Sequence, residues 1–151
     1  MNMHKYFYDE YYDDVSVFAH RHERVPNPHI VGVYRDSLPM AVHLSSVMNC
    51  PLSILKVEND TAEWLINYTD DVSVRPEKSK LFPRLLVVDI SYGTGSTFKA
   101  IKQLPEFIKN PDYSFFSLFG NKNDDGVFFR HEQLFKEIIL PWNLISDKNI
   151  E

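Results

Sequence analysis

Four consecutive apolar residues, Leu85-Leu86-Val87-Val88, stand between Arg84 and Asp89 with no polar side chain among them. Successive side chains of a strand point to opposite faces, so such a run is apolar on both faces and must be covered on both. A sheet with one wet face would alternate instead. Runs of similar character recur at His29-Ile30-Val31-Gly32-Val33-Tyr34, at Leu52 to Val57 and at Tyr113 to Phe119. Helical spacing lies between and before them. Tyr8, Tyr11, Tyr12, Val15, Phe18, Ala19 and His22 fall at steps of three and four, with Asp9, Glu10, Asp13 and Asp14 mostly on the other face. Pro26 and Pro28 stop that helix. A second helix carries Leu38, Ala41, Val42, Ser45 and Met48 with Ser37 as N-cap, and a third carries Phe98, Ile101, Leu104 and Ile108. Strands alternating with helices predict parallel βαβ units, an α/β protein with a parallel sheet flanked by helices.

The chain of 151 residues has room for one domain, 1–151, and its 44% hydrophobic content suits a packed core. A net charge of −5 disfavours broad binding to nucleic acid or to anionic membrane, although a local cationic pocket is compatible with it. No run of eighteen apolar residues would span a bilayer, and Met1 to Tyr6 lacks a signal-peptide core. The single cysteine, Cys50, excludes an internal disulfide and fits a reducing compartment, so the expected location is cytoplasmic. Residues 58–83 are harder to read: Ala62 to Tyr68 suits an edge strand, and Thr69 to Pro83 is polar and broken by prolines. A connection of that length is usually functional or mobile. Asn121 to Gly126 is strong turn chemistry, followed by strand-like Val127-Phe128-Phe129 and Glu137 to Leu140.

Open α/β sheets bind ligands outside the carboxyl ends of their strands. Two such ends carry unusual residues, Tyr34-Arg35-Asp36-Ser37 and Asp89 to Thr97. In the second, a buried strand delivers an acid, and Gly93 and Gly95 let the backbone turn and approach a ligand. Thr94, Ser96 and Thr97 add hydroxyls beside the amides that open the next helix, a donor set suited to an anion. No Lys follows the glycines, so this is not a Walker loop, and the G-x-G-x-x-G spacing is absent. The plainer reading is a strand-to-helix turn capped by Thr94 or Ser96.

Strand, acid, four intervening residues and Thr94-Gly95-Ser96-Thr97 resemble the phosphoribosyl-pyrophosphate (PRPP) signature of type I phosphoribosyltransferases. Upstream, Ile30 to Val57 is similar to that family's first βαβ unit, with Arg35-Asp36-Ser37-Leu38 at its Arg-Gly-Gly-Leu-like turn. Downstream, Ile138-Ile139-Leu140-Pro141-Trp142 resembles the Pro-Trp segment of the xanthine/guanine branch. The match covers about residues 28 to 143 in order.

The resemblance implies displacement of pyrophosphate from PRPP by a purine-like nitrogen base, with Mg2+ bridging the diphosphate. It implies that Thr94, Gly95, Ser96 and Thr97, flanked by Ser91 and Gly93, hold the 5′-phosphate. Asp89 would hold the ribose hydroxyls and contribute to the metal site, and Arg35, Asp36 and Ser37 would form the pyrophosphate loop, with Asp89 and Arg35 as the catalytic pair. Phe119, Ile138 and Trp142 are candidates for a base pocket, although in a chain with 14% aromatic residues each is more often simply core. The family layout also implies an N-terminal helical segment over 1–27, a mobile lid over 58–83 carrying Arg75, Lys78 and Lys80, and a small C-terminal hood over 120–151. The family often has a cis peptide entering the pyrophosphate loop, here Tyr34–Arg35. PRPP or a nucleoside monophosphate and a base are the implied partners; homo-oligomerisation is left open.

The departures concern the same motifs. The second acid of the family's pair is Ile90, the further acid is Gly93, and the two loop glycines are Asp36 and Ser37. A carboxylate at Asp36 repels phosphate unless Mg2+ lies between them. The branch's base-stacking Trp aligns with Glu137 and its purine-reading Lys nearest Asn121 or Lys122. The alternative function is therefore a degenerate relative that binds PRPP or a nucleotide for regulation or sequestration. Other features carry less. His20 and His22 do not share a helix face for a metal with Glu23, Cys50 reads as a small buried residue, and Asn67-Tyr68-Thr69 is a sequon without a secretory signal. Asn123-Asp124-Asp125-Gly126 lacks the downstream Glu of a calcium loop. Trp64 reads as either a ligand contact or an edge-strand anchor.

Overall fold

The structure, a computed structural model, describes residues 3–67, 84–121, 126–133, 135 and 137–143. Its elements in chain order are β1 (Met3–Lys5), α1 (Tyr8–Arg21), β2 (Pro28–Tyr34), α2 (Leu38–Met48), β3 (Leu52–Glu58) and β4 (Thr61–Ile66). They continue as β5 (Arg84–Tyr92), α3 (Ser96–Lys102), α4 (Pro105–Lys109), β6 (Tyr113–Gly120), β7 (Phe128–His131) and β8 (Glu137–Ile139), with a 3-10 turn at Pro141–Asn143. Six strands form one sheet in the order β4-β3-β2-β5-β6-β7, and β1 pairs with β8 separately. Every pairing in the large sheet is parallel except β3 with β4, which is antiparallel.

The apolar run at the centre sits where its two-faced character requires. Leu86 and Val88 join Ile30, Phe116, Leu118, Met40, Leu44 and Phe18 beneath α1 and α2. Leu85 and Val87 join Val31, Val33, Phe115, Phe98, Ile101 and Phe107 beneath α3 and α4. The mostly parallel sheet covered by helices on both faces is the α/β arrangement that the alternation predicts.

Several elements differ from the reading of the sequence. The helix expected through Ile108 breaks before Pro105, which lacks an N–H and starts α4, and Ile108 lies 68% exposed. Strand β5 continues through Ile90 and Ser91 to Tyr92, whose ring stacks on Phe98. Ser37 occupies the N-cap of α2 without capping it: its hydroxyl donates to the Val33 carbonyl instead. Asp14, expected on the solvent face of α1, is buried, whereas Tyr8 and Tyr12 are exposed. Within the segment expected as a lid, residues 58–66 form a hairpin. Asn59 and Asp60 both have positive φ (53° and 61°), as a two-residue type I′ turn needs. Residues 68–83, with Arg75, Lys78 and Lys80, lie outside the described residues, as do Asn123 to Asp125 and Lys122. Trp64 is an edge-strand anchor: its indole N–H donates to Glu106 Oε1 at 2.7 Å and its ring stacks on Phe107. Among the described residues no helix is long and apolar enough to cross a membrane.

Gly32 fixes how closely α2 lies on β2. A Cβ added there would stand 2.5 Å from the Ala41 Cβ, which has no torsion with which to yield. Gly32→Ala is therefore expected to destabilise the protein by about 1–3 kcal/mol through overpacking. Urea denaturation checks it, and an unchanged midpoint would show that α2 is free to shift.

Candidate functional site

The carboxyl ends of β2 and β5 lie side by side, because the two strands pair in parallel from Pro28–Arg84 to Gly32–Val88. Each chain end then leaves the sheet with the residues singled out from the sequence. After β2 the Tyr34–Arg35 peptide is cis, and Arg35 and Asp36 are exposed. The turn closes with the Leu38 amide donating to the Arg35 carbonyl at 3.1 Å and the Ala41 amide to the Ser37 carbonyl at 2.9 Å.

Asp89 stands half-buried near the end of β5, and its Oδ1 accepts from the Ile90 amide at 2.8 Å. Burial raises its pKa to about 7; the Ile90 hydrogen bond opposes the rise and the Asp36 carboxylate adds to it. The group therefore gains a proton or a cation more readily than an ordinary aspartate does. Beyond it, Gly95 adopts φ 83°, a conformation that few other residues accept, and heads α3. The Ser96 amide lies 3.4 Å from Thr94 Oγ1, and the Thr94 hydroxyl donates to Ser96 Oγ at 3.2 Å. Gly95 is the N-cap of α3 and no side chain caps it, so the long Thr94 contact falls short of the cap that the plainer reading expected. The loop still encloses a hollow of about 220 Å³, lined by Asp89, Ser91, Tyr92 and every residue from Gly93 to Phe98.

A second cleft of about 270 Å³ adjoins it, lined by Asp36, Asp89, Ile90, Ser91, Phe135, Ile138 and Leu140. Asp89 and Ser91 line both hollows, so the two lie on either side of the carboxylate. Among the base-pocket candidates, Ile138 lines the cleft. Phe119 is packed away from it against Tyr6, His4, His131 and Phe135, and Trp142 meets Tyr11 edge-on at 5.3 Å. Phe135 is the cleft residue that sequence reasoning missed. Its ring stacks on His4 with centroids 4.7 Å apart. It lies in a short polar connection without periodicity, so no local pattern marks it.

Two carboxylates, Asp36 and Asp89, face one cleft. No group of three or more His, Cys, Asp or Glu side chains is placed to hold a metal among the described residues. A hard cation that keeps water and completes its shell with ligand phosphate oxygens suits a pair of this kind better than an all-protein cage would. Elsewhere, His20 pairs with Glu23 at 3.5 Å, and burial raises the pKa of the half-buried Cys50 thiol.

No protein-family model matches the chain, and no curated protein matches it in sequence. Solved structures do. A purine phosphoribosyltransferase from Pyrococcus horikoshii superimposes with a TM-score of 0.69 at 20% identity, over 94% of each chain. The xanthine-guanine-hypoxanthine phosphoribosyltransferase of Helicobacter pylori gives 0.67 at 19% identity, over 98% of this chain and 96% of that one. A hypothetical protein from Neisseria gonorrhoeae with bound ppGpp gives 0.61 at 18% identity, over 99% and 96%. The chain has the type I phosphoribosyltransferase fold, as the sequence resemblance implied.

Proposed function

We propose that the protein transfers a phosphoribosyl group from PRPP to a purine-like nitrogenous base. In that reaction a base nitrogen bonds to the ribose anomeric carbon while the C–O bond to pyrophosphate breaks, pyrophosphate leaves with the bonding pair, and the proton of the base nitrogen passes to solvent. The observation that carries this reading is the shared wall: Asp89 and Ser91 line both the amide-rich hollow and the cleft beside Asp36. A phosphorylated ribose fits that arrangement, with its phosphate against Thr94 to Thr97, its hydroxyls at Asp89, and its reacting carbon toward Phe135 and Ile138. Arg35 lines neither hollow but is exposed next to Asp36, and in this reading its guanidinium would meet the departing diphosphate charge. Asp36 and Asp89 would help to hold Mg2+ that arrives with the diphosphate, and the ion would supply charge neutralisation on the leaving group.

A second reading, nucleotide binding without transfer, is favoured by one feature. Asp36 puts a carboxylate on the cleft where the family's pattern has an uncharged glycine. The Neisseria gonorrhoeae neighbour of the same fold has ppGpp bound, and a nucleotide in the cleft of this chain would suit the second reading.

One experiment separates them. Pyrophosphate release from PRPP and Mg2+ is followed across a panel of nitrogenous bases, with calorimetric titration of PRPP in parallel. Release with at least one purine is expected. Sub-millimolar PRPP binding without release by any base establishes the second reading, and no binding at all defeats both.

A further inference from the structure

The opposite end of the sheet holds a cavity that the transfer reaction does not use. It measures about 190 Å³ and lies between the C-terminal end of α1 and the starting ends of β5, β6 and β7. Phe18, Phe116 and Phe128 give it aromatic walls, and Arg21, His22 and Arg84 line it as well. Arg84 and Asp89 are five residues apart on one strand, which separates this cavity from the Asp89 site by roughly 16 Å at about 3.3 Å per residue.

Its charges are unbalanced. Arg84 pairs with Asp112, so one of the two guanidinium groups is already offset. Arg21 lies 3.8 Å over the Phe128 ring and has no acidic partner among the described residues. Stacked in this way, the guanidinium keeps its edge N–H groups available to an acceptor. His22 Nδ1 donates to the Phe18 carbonyl at 2.8 Å, which fixes the ring and leaves Nε2 as the nitrogen that takes up a proton. Burial, with Arg21 and Arg84 adding to it, lowers the His22 pKa. An anion between these groups would reverse the repulsion. No charged residue of β6 or β7 lines the cavity; Ser114 and Gly126 complete that side, and His20 of α1 pairs with Glu23 in the turn that follows the helix.

We propose that this cavity is a second ligand site, for a small phosphate monoester with an apolar body. Arg21, His22 and Arg84 hold the head and the three phenylalanines hold the body. One uncompensated guanidinium and one imidazole that can acquire charge match the charge of about −1.5 to −2 that a monoester carries near neutrality. The volume is below the roughly 300 Å³ at which ordinary ligand pockets begin, so the body is no larger than a single ring.

The probe is phenyl phosphate, read by NMR at the His22 ring and compared with inorganic phosphate and benzoate at matched ionic strength. Phenyl phosphate is expected to bind about tenfold more tightly than either and to move the His22 titration upward by about one unit. Arg21→Gln should weaken it at least tenfold, with Arg21→Lys intermediate because the charge stays and the planar fork goes. An unmoved His22 resonance overturns the proposal, as does binding that Arg21→Gln leaves unchanged. A perturbation that sodium chloride reproduces shows ion screening only and overturns it equally. Because the readout sits at His22, phosphate occupying the Thr94–Thr97 loop does not mimic the result, and failure here leaves the transfer reading intact.

Discussion

Asp89→Asn is expected to lower kcat/KM for PRPP-dependent transfer by about 10²-fold or more while making the folded protein more stable above pH 7. In the proposed reaction the loss follows from removing a charged acceptor for ribose hydroxyls, since hydrogen bonds to a charged group contribute about 1.5–3 kcal/mol each. The gain follows from linkage. Burial raises the Asp89 pKa to about 7 in the folded chain, against an ordinary value of 3.8. Between those values the folded state binds more protons than the unfolded one, so stability falls as pH rises from about 4 to about 7. Above 7 the full penalty of a buried, ionised carboxylate is present, and Asn does not incur it. A gain of about 2 kcal/mol at pH 8, with none at pH 4, is the expected pattern.

Opposite signs for activity and stability mark a carboxylate kept for ligand rather than for the fold. The rate should rise with pH toward a plateau above 7 as Asp89 ionises, and Asp36→Asn should move that midpoint downward because a neighbouring negative charge is gone. Pyrophosphate-release kinetics and thermal unfolding at the two pH values check both halves. If Asp89→Asn is less stable at pH 8, or retains the parent's rate, the assignment of this residue fails.

What the sequence made legible and what it hid divide along a physical line. Leu85 to Val88 could be read because burial on both faces leaves a mark in four adjacent residues. The Gly93–Thr97 loop could be read because a tight turn and exposed amides demand small and hydroxylated residues locally. Pro105 is equally local evidence that the helix ends, and it overrides the periodicity of Phe98, Ile101, Leu104 and Ile108. The β1–β8 pairing is different. His4 faces Ile138 across the chain's length, and three-residue strands carry no periodicity to detect. Phe135 enters the cleft through that same pairing, so its role depends on contacts that no local window contains.

Asp14 is the sharpest case of a hidden contact, and its removal should have the largest effect on stability. It is 2% exposed within a helix whose Asp9 and Asp13 face water. Its Oδ1 lies 2.8 Å from Arg130 Nε, its Oδ2 accepts from His131 Nε2 at 2.9 Å, and the Tyr6 hydroxyl donates to the same oxygen. Burial and this carboxylate together push the Tyr6 pKa upward, which keeps the phenol a donor. One side chain therefore ties α1 to β7 and to the residue that follows β1. Truncating it leaves a buried phenol and a partly exposed guanidinium and imidazole without their acceptor.

Breaking a buried ion pair from one side costs about 3–5 kcal/mol. For a chain of this length that corresponds to a fall of roughly 10 °C in Tm. Asp14→Ala is expected to show that loss, and Asp14→Asn a smaller one, because an amide oxygen still accepts one hydrogen bond. The consequence extends to the site. The chain that leaves His131 passes through Phe135 to Ile138, both on the cleft, so Asp14→Ala should weaken nucleotide binding more than Gly32→Ala does at equal stability loss. Denaturation combined with a double-mutant cycle between Asp14 and His131 measures the coupling directly. Additive effects at the two positions would show that the carboxylate and the imidazole are neighbours without being partners.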